Sequence, residues 1–148
     1  MAGDWPQWLG PDRNGVSAET GLLTAWPEAG PEILWRARLD KGFSGVAVAA
    51  DRLYTMYAEE GNEYVVCLNA GDGEQLWHVK TGEYYQEKQG GDGPRSTPAV
   101  DGEAVYVLSA QGTLHALAAD TGASIWQKSL VEEFASKVPR WGFSTSPL

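Results

Sequence analysis

Two arginines stand where they could bind an anionic ligand. Arg95 ends a long loop over residues 81–95, and Arg140 lies in a second loop that ends with residues 140–145. Each loop comes just before a segment predicted to be a short strand. Because a guanidinium group offers paired N–H donors that match the two oxygens of a carboxylate, these arginines could bind an acidic group. The two loops are therefore the candidate binding site, with solvated loop charges as the competing interpretation.

The other reactive residues lack the spacing of a catalytic or metal site. Cys67 is the only cysteine, which excludes an internal disulfide and a zinc site made of several cysteines. It lies in a predicted strand and is expected to be a small buried side chain. His78 and His115 lie in different predicted strands, without the i, i+4 spacing of two ligands on a helix. We predict no catalytic residue and no metal site.

Composition restricts the class of protein. The chain has 148 residues, of which 43% are hydrophobic, and its formal net charge is −9. An acidic balance argues against nucleic-acid binding, which needs clustered lysine and arginine. No apolar run approaches the roughly 20 residues of a membrane-spanning helix. The first residues show neither the basic stretch nor the apolar core of a signal peptide, so a cytoplasmic protein and an exported one whose signal has been removed both stay open.

An internal repeat is the strongest feature of the sequence. Residues 67–77 and 116–126 align with a constant offset of 49 positions, and Leu, Ala, Gly and Trp recur in register. The Ser-Thr-Pro-Ala of residues 96–99 is echoed by the Thr-Ser-Pro-Leu of residues 145–148, at the same offset. A fixed period of this length is typical of solenoids and propellers.

Each copy of the repeat is predicted to form four short antiparallel strands separated by Gly-rich and Asp-rich turns. Four strands in about 40–50 residues, repeated, are typical of a propeller blade, with a β-sandwich as the alternative. The predicted strands are 44–48, 52–57, 63–69 and 75–80 in the first copy, and 97–100, 104–109, 113–118 and 124–129 in the second.

The remaining segments are assigned by their positions before, between and after the two copies of the repeat. A short helix is predicted within residues 131–138, with Ser129 as its N-cap and Pro139 after its end. The predicted organisation is a single partial propeller, made of an N-terminal segment (1–32), the outer strand of a preceding blade (33–39), two blades (43–80 and 96–130) and the first strand of a further blade (144–148).

The turn before the last strand of each copy carries a family resemblance. The pattern Ala118-x-Asp120-Thr121-Gly122-x-x-x-Trp126 resembles the tryptophan-docking motif of pyrroloquinoline quinone (PQQ) repeats. The first copy departs from it by placing Asp72 directly before Gly73. The opening Trp-Pro-Gln-Trp-Leu-Gly of residues 5–10 is similar to the start of bacterial PQQ-like repeat proteins. The resemblance implies an all-β partial propeller of four-stranded antiparallel blades, from an eight-bladed parent in the quinoprotein alcohol dehydrogenase-like superfamily, with a short helix in one inter-blade loop.

The motif assigns structural roles to five residues. Trp77 and Trp126 are predicted to lie flat against the turn of a neighbouring blade, and Trp35 to do the same from the preceding outer strand. Gly73 and Gly122 would let those turns adopt a positive φ and let a ring approach the backbone closely. These residues are expected to hold blades together rather than to bind a ligand.

The same resemblance implies a remnant of a cofactor site. In quinoprotein dehydrogenases, Arg, Ser and Thr near the ring centre bind the carboxylates of PQQ, and a Trp stacks under it. The matching residues here are Arg95, Ser96, Thr97, Arg140, Trp141 and Ser144. The dehydrogenases also stack the quinone on a disulfide between adjacent cysteines, which a single cysteine cannot form. Relatives are mostly exported, which implies a periplasmic or extracellular location.

Two blades are too few for a closed propeller, since even the smallest have four. We expect the remaining blades to come from a longer parent chain, or from further copies in a homo-oligomeric ring. The expected function is a non-catalytic binding or scaffolding module with a protein or ligand partner. The alternative is part of a PQQ-dependent alcohol or sugar dehydrogenase.

Overall fold

A computed structural model describes residues 3–148, so the first two residues of the predicted N-terminal segment lie outside the described part. Eight strands form two four-stranded antiparallel sheets, each in chain order. This confirms the predicted all-β class and its four-stranded units. The first sheet contains β1 (Ala47–Ala49), β2 (Arg52–Glu59), β3 (Asn62–Asn69) and β4 (Gln75–Glu83), and the second contains β5 (Ala99–Asp101), β6 (Ala104–Leu108), β7 (Thr113–Ala118) and β8 (Ser124–Ser129).

Two-residue turns close the first two hairpins of the first sheet. Ala50 and Asp51 join β1 to β2, Glu60 and Gly61 join β2 to β3, and all four have φ between 48° and 83°. Consecutive left-handed residues form the turn whose twist matches that of the flanking strands. The second turn sets β2 against β3 in unbroken register along the whole of both strands.

The main hydrophobic core lies between the two sheets, which pack face to face. Alternation along the strands places every second side chain on the shared face. The buried members of this core are Tyr54, Met56, Val65, Cys67 and Trp77 from the first sheet, and Val105, Val107, Leu117 and Ala119 from the second sheet and its turn. On the opposite face of the first sheet, Trp35 and Leu39 pack against a second cluster that contains Tyr57, Val66 and Leu68.

The N-terminal segment ties the inner edges of the two sheets together. Trp5 exchanges two backbone hydrogen bonds with Val48 in β1, at 2.7 and 2.9 Å, and the N–H of Val100 in β5 donates to Pro6 at 2.8 Å. The N-terminal segment therefore holds the two innermost strands, β1 and β5, side by side. The described chain contains no helix able to span a lipid bilayer.

The structure differs from the predicted strands at two segments. Residues 33–39 and 144–148 form no strand. A strand is held by a ladder of backbone hydrogen bonds to a neighbour, and within residues 3–148 neither segment has such a ladder. The inner strands β1 and β5 are also shorter than predicted, with three residues each. In β5 the strand begins after Pro98, which has no N–H to donate.

The helix is also shorter than predicted. The helix α1 covers only Leu130–Glu133, and Ser129 is its N-cap, with Oγ accepting from the N–H of Glu132 at 3.2 Å. The helical pattern of apolar residues continues to Val138, but Ala135 takes a left-handed φ of 47° that ends the helical path. The prediction therefore placed the start of the helix correctly and its end wrongly.

Candidate functional site

Trp77 joins the first sheet to the second. Its Nε1–H donates to the carbonyl of Ala119 at 3.1 Å, and the hydroxyl of Tyr54 donates to the same carbonyl at 3.1 Å. The ring lies against Gly122, where φ is 71° and an added Cβ would come within 2.7 Å of Trp77 Cε3. Only a glycine fits between the ring and the left-handed turn.

Trp35 repeats this arrangement one sheet earlier. Its Nε1–H donates to the carbonyl of Ala70 at 3.0 Å, and its ring lies over Gly73, where φ is 77°. Trp35 does so from a segment that is not a strand. Trp126, the third residue of the series, is 38% exposed and lies beside the ring of Tyr106 at a centroid distance of 6.0 Å.

Side-chain hydroxyl groups link the segment before β1 to the segment before β5, and that segment to residues 145 and 146. Ser44 Oγ donates to the carbonyl of Ser96 at 2.7 Å, and Ser96 Oγ donates to the carbonyl of Thr145 at 2.9 Å. The Thr97 N–H donates to Ser146 Oγ at 3.0 Å. Ser96 and Thr97 are both buried. The Ser96 hydroxyl is thus engaged within the chain.

Arg95 braces its own loop. Its Nη2 donates to the carbonyl of Gly91 at 2.6 Å, and its Nη1 donates to that of Gly93. The guanidinium also lies over two aromatic rings, at 5.6 Å from the centre of Phe43 and 5.4 Å from that of Tyr85. Two of its donor groups are therefore committed to backbone carbonyls before any ligand arrives.

Arg140 and Trp141 form a pair on the neighbouring loop. The Arg140 guanidinium lies 4.9 Å from the Trp141 ring centre and donates to Gln89 Oε1 at 3.0 Å. The Tyr85 hydroxyl donates to the Arg140 carbonyl at 2.7 Å. The loops over residues 84–95 and 139–143 are therefore interlocked, and we call their combined surface the loop face. Trp141 is 43% exposed on it.

The six residues of the predicted cofactor site do not all line one cleft. Arg95, Thr97 and Ser144 line a cleft of about 520 Å³ beside the N-terminal segment, whereas Arg140 and Trp141 are not among its lining residues. Ser96 is buried with its hydroxyl bonded. The cleft is lined by Gln7, Trp8, Leu9, Arg13, Phe43, Arg95, Thr97, Ser144, Thr145, Ser146, Pro147 and Leu148.

These residues do not fit a bound quinone. Ser96 already donates its only hydroxyl hydrogen to the Thr145 carbonyl, and Arg95 uses two of its five N–H groups to hold its own loop, so its guanidinium is oriented by that loop. The predicted stacking residue, Trp141, packs beside Arg140 on the loop face instead. No step of a quinone-dependent reaction can therefore be assigned to this chain. Within residues 3–148, no three His, Cys, Asp or Glu side chains come together as metal ligands do.

Sequence reasoning missed a buried polar contact between the sheets. Glu63 is fully buried, and its carboxylate accepts from the N–H of Ala110 in the second sheet's β6–β7 turn. His115 is buried nearby, with Nε2 at 3.0 Å from the Thr81 carbonyl. The sequence held one signal, because Glu63 directly precedes the run Tyr-Val-Val-Cys-Leu of a strand predicted to be buried, and a charge there needs a partner.

Cys67 is expected to be inert towards thiol reagents in the folded protein. Its side chain is fully buried, and burial raises the pKa of the thiol to about 11, so little reactive thiolate exists at neutral pH. With the chromogenic reagent DTNB at pH 8, we expect no labelling of the native chain and one thiol per chain in denaturant. Rapid labelling of the native chain at the rate of free cysteine would contradict the packing between the sheets.

Comparison with known proteins gives the family. The family profile PQQ_2, described as outer membrane protein assembly factor BamB, matches residues 10–137. The outer membrane protein assembly factor BamB of Shewanella oneidensis is 30% identical over 116 residues, which cover 69% of this chain and 26% of the relative. The chain thus spans about a quarter of the length of that curated relative.

Solved structures agree on the fold. The quinohemoprotein alcohol dehydrogenase of Comamonas testosteroni superposes with a TM-score of 0.63 at 19% identity, covering 87% of this chain and 20% of that one. BamB of Moraxella catarrhalis superposes with a TM-score of 0.51 at 21% identity, covering 64% and 27% respectively. At such identities the likeness establishes a propeller fold, whereas the match over residues 10–137 establishes the family: the chain belongs to the PQQ-repeat family of the outer membrane protein assembly factor BamB.

Proposed function

We propose that this chain is a non-catalytic module of a larger propeller and that it binds a protein partner through the loop face. The observation that carries the proposal is the Arg140–Trp141 pair, exposed and fixed by contacts from the adjacent loop. Arginine and tryptophan are enriched among the residues that supply most of the binding energy at protein interfaces. A part-exposed pair of these types on an interlocked surface is therefore a candidate anchor.

Pre-organisation supports this role for the loop face. The Tyr85 hydroxyl holds the Arg140 backbone, and Gln89 holds its guanidinium. An added Cβ at Gly90 would lie 3.5 Å from Trp141 Cε3, so the ring packs on the backbone of the facing loop. Side chains already held in place lose little conformational entropy when a partner binds, which favours affinity.

The family suggests where such a partner acts. The matched relative is named an outer membrane protein assembly factor, so we place the proposed partner among the proteins of outer-membrane assembly and the chain in the periplasm. The remaining blades would come from a longer propeller or from further copies, and Trp126 would then pack on the next blade as Trp77 packs on Gly122. The dehydrogenase alternative has less support, because Trp141 lies outside the cleft that Arg95 lines and Ser96 already donates its hydroxyl to Thr145.

Replacement of Trp141 by alanine is expected to weaken partner binding by about 30-fold or more, the effect of losing a central interface residue. Arg140→Ala should weaken it as well, because the pair acts together. The measurement is biolayer interferometry of the immobilised chain with each purified subunit of an outer-membrane barrel assembly machinery.

Trp26→Ala is the matched control, since Trp26 is 61% exposed and lies outside the loop face. It should bind like the parent chain. Equal affinities for the Trp141→Ala and Trp26→Ala variants, or no binding of the parent chain to any subunit, would contradict the proposal.

A further inference from the structure

A buried polar seam crosses the packing between the two sheets. Glu63, at the start of β3, is fully buried, and its Oε1 and Oε2 lie 3.2 and 3.4 Å from the backbone nitrogen of Ala110. The Glu63 carbonyl accepts from the hydroxyl of Thr81 at 3.1 Å, and the Thr81 carbonyl lies 3.0 Å from His115 Nε2. The seam, defined as Glu63, Thr81, Ala110 and His115, therefore joins β3 and β4 to the second sheet.

The Ala110 peptide lies at the centre of these contacts. Its N–H donates to Glu63, and its carbonyl accepts from the N–H of Phe143 at 2.8 Å, in the segment that carries Trp141. Gly142 packs on the same peptide, where an added Cβ would lie 3.1 Å from the Ala110 carbonyl oxygen. A change in the position of Glu63 is therefore transmitted through the Ala110 peptide to residues 142 and 143, which contact that peptide.

The charged groups around Glu63 do not neutralise it. Arg95 is the cation that acts on its carboxyl, and it is engaged with the carbonyls of Gly91 and Gly93. Lys41, paired through its backbone with Ala58 opposite Glu63, places its ammonium 3.4 Å from Asp92. The flanking carboxylates on β2 and β4, Glu59 and Glu83, are exposed.

A single N–H shared by two carboxylate oxygens is poor compensation for a buried negative charge. Removing a charged carboxylate from water costs several kcal/mol unless it is paired and well hydrogen-bonded. The neutral acid needs far less compensation, and its carbonyl oxygen can still accept from Ala110. Burial accordingly raises the pKa of Glu63 to about 7, with opposing effects of the Ala110 hydrogen bond and of Arg95.

From this geometry we propose that Glu63 is a pH-sensitive latch between the two sheets, closed when the carboxyl is neutral and loosened when it ionises. When Glu63 ionises, water enters the seam and hydrates the carboxylate. β3 then separates from the β6–β7 turn, and that turn no longer supports residues 142 and 143. The latch stands on the contacts of the seam and does not depend on partner binding by the loop face.

The sign of the effect follows from the raised pKa. A carboxyl that titrates near 4.5 when unfolded and near 7 when folded stabilises the fold fully below pH 4.5 and loses that contribution as the pH rises through 7. His115 acts in the opposite direction, because burial lowers its pKa and protonation at low pH then costs stability. Its effect is common to variants that differ only at Glu63.

The test compares the parent chain with Glu63→Gln by chemical unfolding between pH 4.5 and 8.5. Glutamine keeps an oxygen that can accept from Ala110 and carries no charge. Relative to this variant, the folding equilibrium constant of the parent should fall by roughly 150-fold between pH 4.5 and 8.5, as the two pKa values imply. Hydrogen exchange at pH 8 should be faster at the Ala110 amide in the parent than in the variant.

Glu59→Gln is the matched control, since it removes an exposed carboxylate from the same end of the first sheet. It should show the pH profile of the parent chain. Titration of the Glu63 side-chain carbon by 13C NMR in the parent chain gives a readout that needs no variant. A midpoint at the ordinary carboxyl value, or superimposable pH profiles for the parent and Glu63→Gln, would overturn the latch.

Discussion

Replacement of Trp77 by alanine is expected to lower the free energy of unfolding by about 3–5 kcal/mol, the range for truncating a large buried aromatic residue. Trp77 belongs to the core between the sheets and donates to the carbonyl of Ala119. The substitution removes the packed ring, leaves a cavity and deletes one of the two donors to that carbonyl. Since small domains are stable by about 5–15 kcal/mol, the substitution should remove a large fraction of the stability and lower the urea midpoint strongly. Urea unfolding followed by far-UV circular dichroism measures the loss.

Trp126→Ala is the matched control for this prediction. Trp126 occupies the equivalent position one repeat later but is 38% exposed, so its loss should cost about 1 kcal/mol or less. Equal losses for the two variants would mean that Trp77 does not join the sheets as described. A loss for Trp77→Ala below about 1 kcal/mol would mean the same.

Substitution of Gly122 by alanine is expected to cost about 2–4 kcal/mol. The residue has a φ of 71°, which penalises any side chain by roughly 1 kcal/mol. The new Cβ would also lie 2.7 Å from Trp77 Cε3 and 2.9 Å from Trp77 Cδ2, so the ring must move out of its packed position. Overpacking of this kind costs about 1–3 kcal/mol. The measurement is the same urea titration, together with the change in tryptophan fluorescence on folding.

Gly102→Ala separates the two contributions. Gly102 has a similar φ of 57° in a turn of the same sheet, and nothing lies within 4 Å of an added Cβ. It should therefore show only the backbone penalty of about 1 kcal/mol. If Gly122→Ala lowered the free energy of unfolding no more than Gly102→Ala, the Trp77 ring would have moved aside without loss of packing energy, which contradicts the prediction.

The architecture could be predicted from the sequence because the information is local and repeated. The turns that close each hairpin, the alternation of apolar residues and the offset between Trp77 and Trp126 all appear in the sequence itself. The segments predicted to be strands that form none, 33–39 and 144–148, lack a hydrogen-bonded neighbour, and the local sequence pattern does not report whether a neighbour is present. The helix end was missed because the left-handed Ala135 interrupts a run whose apolar spacing is helical.

The candidate site could be predicted only as residue types. Arg95 and Arg140 were predicted as candidate binding residues of two loops, yet their hydrogen-bond partners are set by how those loops fold back. The carbonyls that occupy Arg95 come from its own loop, whereas Gln89, which holds Arg140, is 51 positions away from it in the chain. The partner of Glu63 could not be predicted for the same reason, since Ala110 meets it across the interface between the sheets.

The hydrogen bonds from Ser44 to Ser96 and from Ser96 to Thr145 run in a single direction, because in each the hydroxyl of the earlier segment donates to a backbone carbonyl of the later one. Ser96 therefore takes part in both links: its carbonyl accepts from the segment before it, and its hydroxyl donates to the segment after it. An inserted unit that keeps both groups at this position would leave neither a hydroxyl donor nor a carbonyl acceptor unpaired at its two junctions. A scaffold built from such units would change its number of units through recombination while keeping the same hydroxyl-to-carbonyl hydrogen bond at every junction.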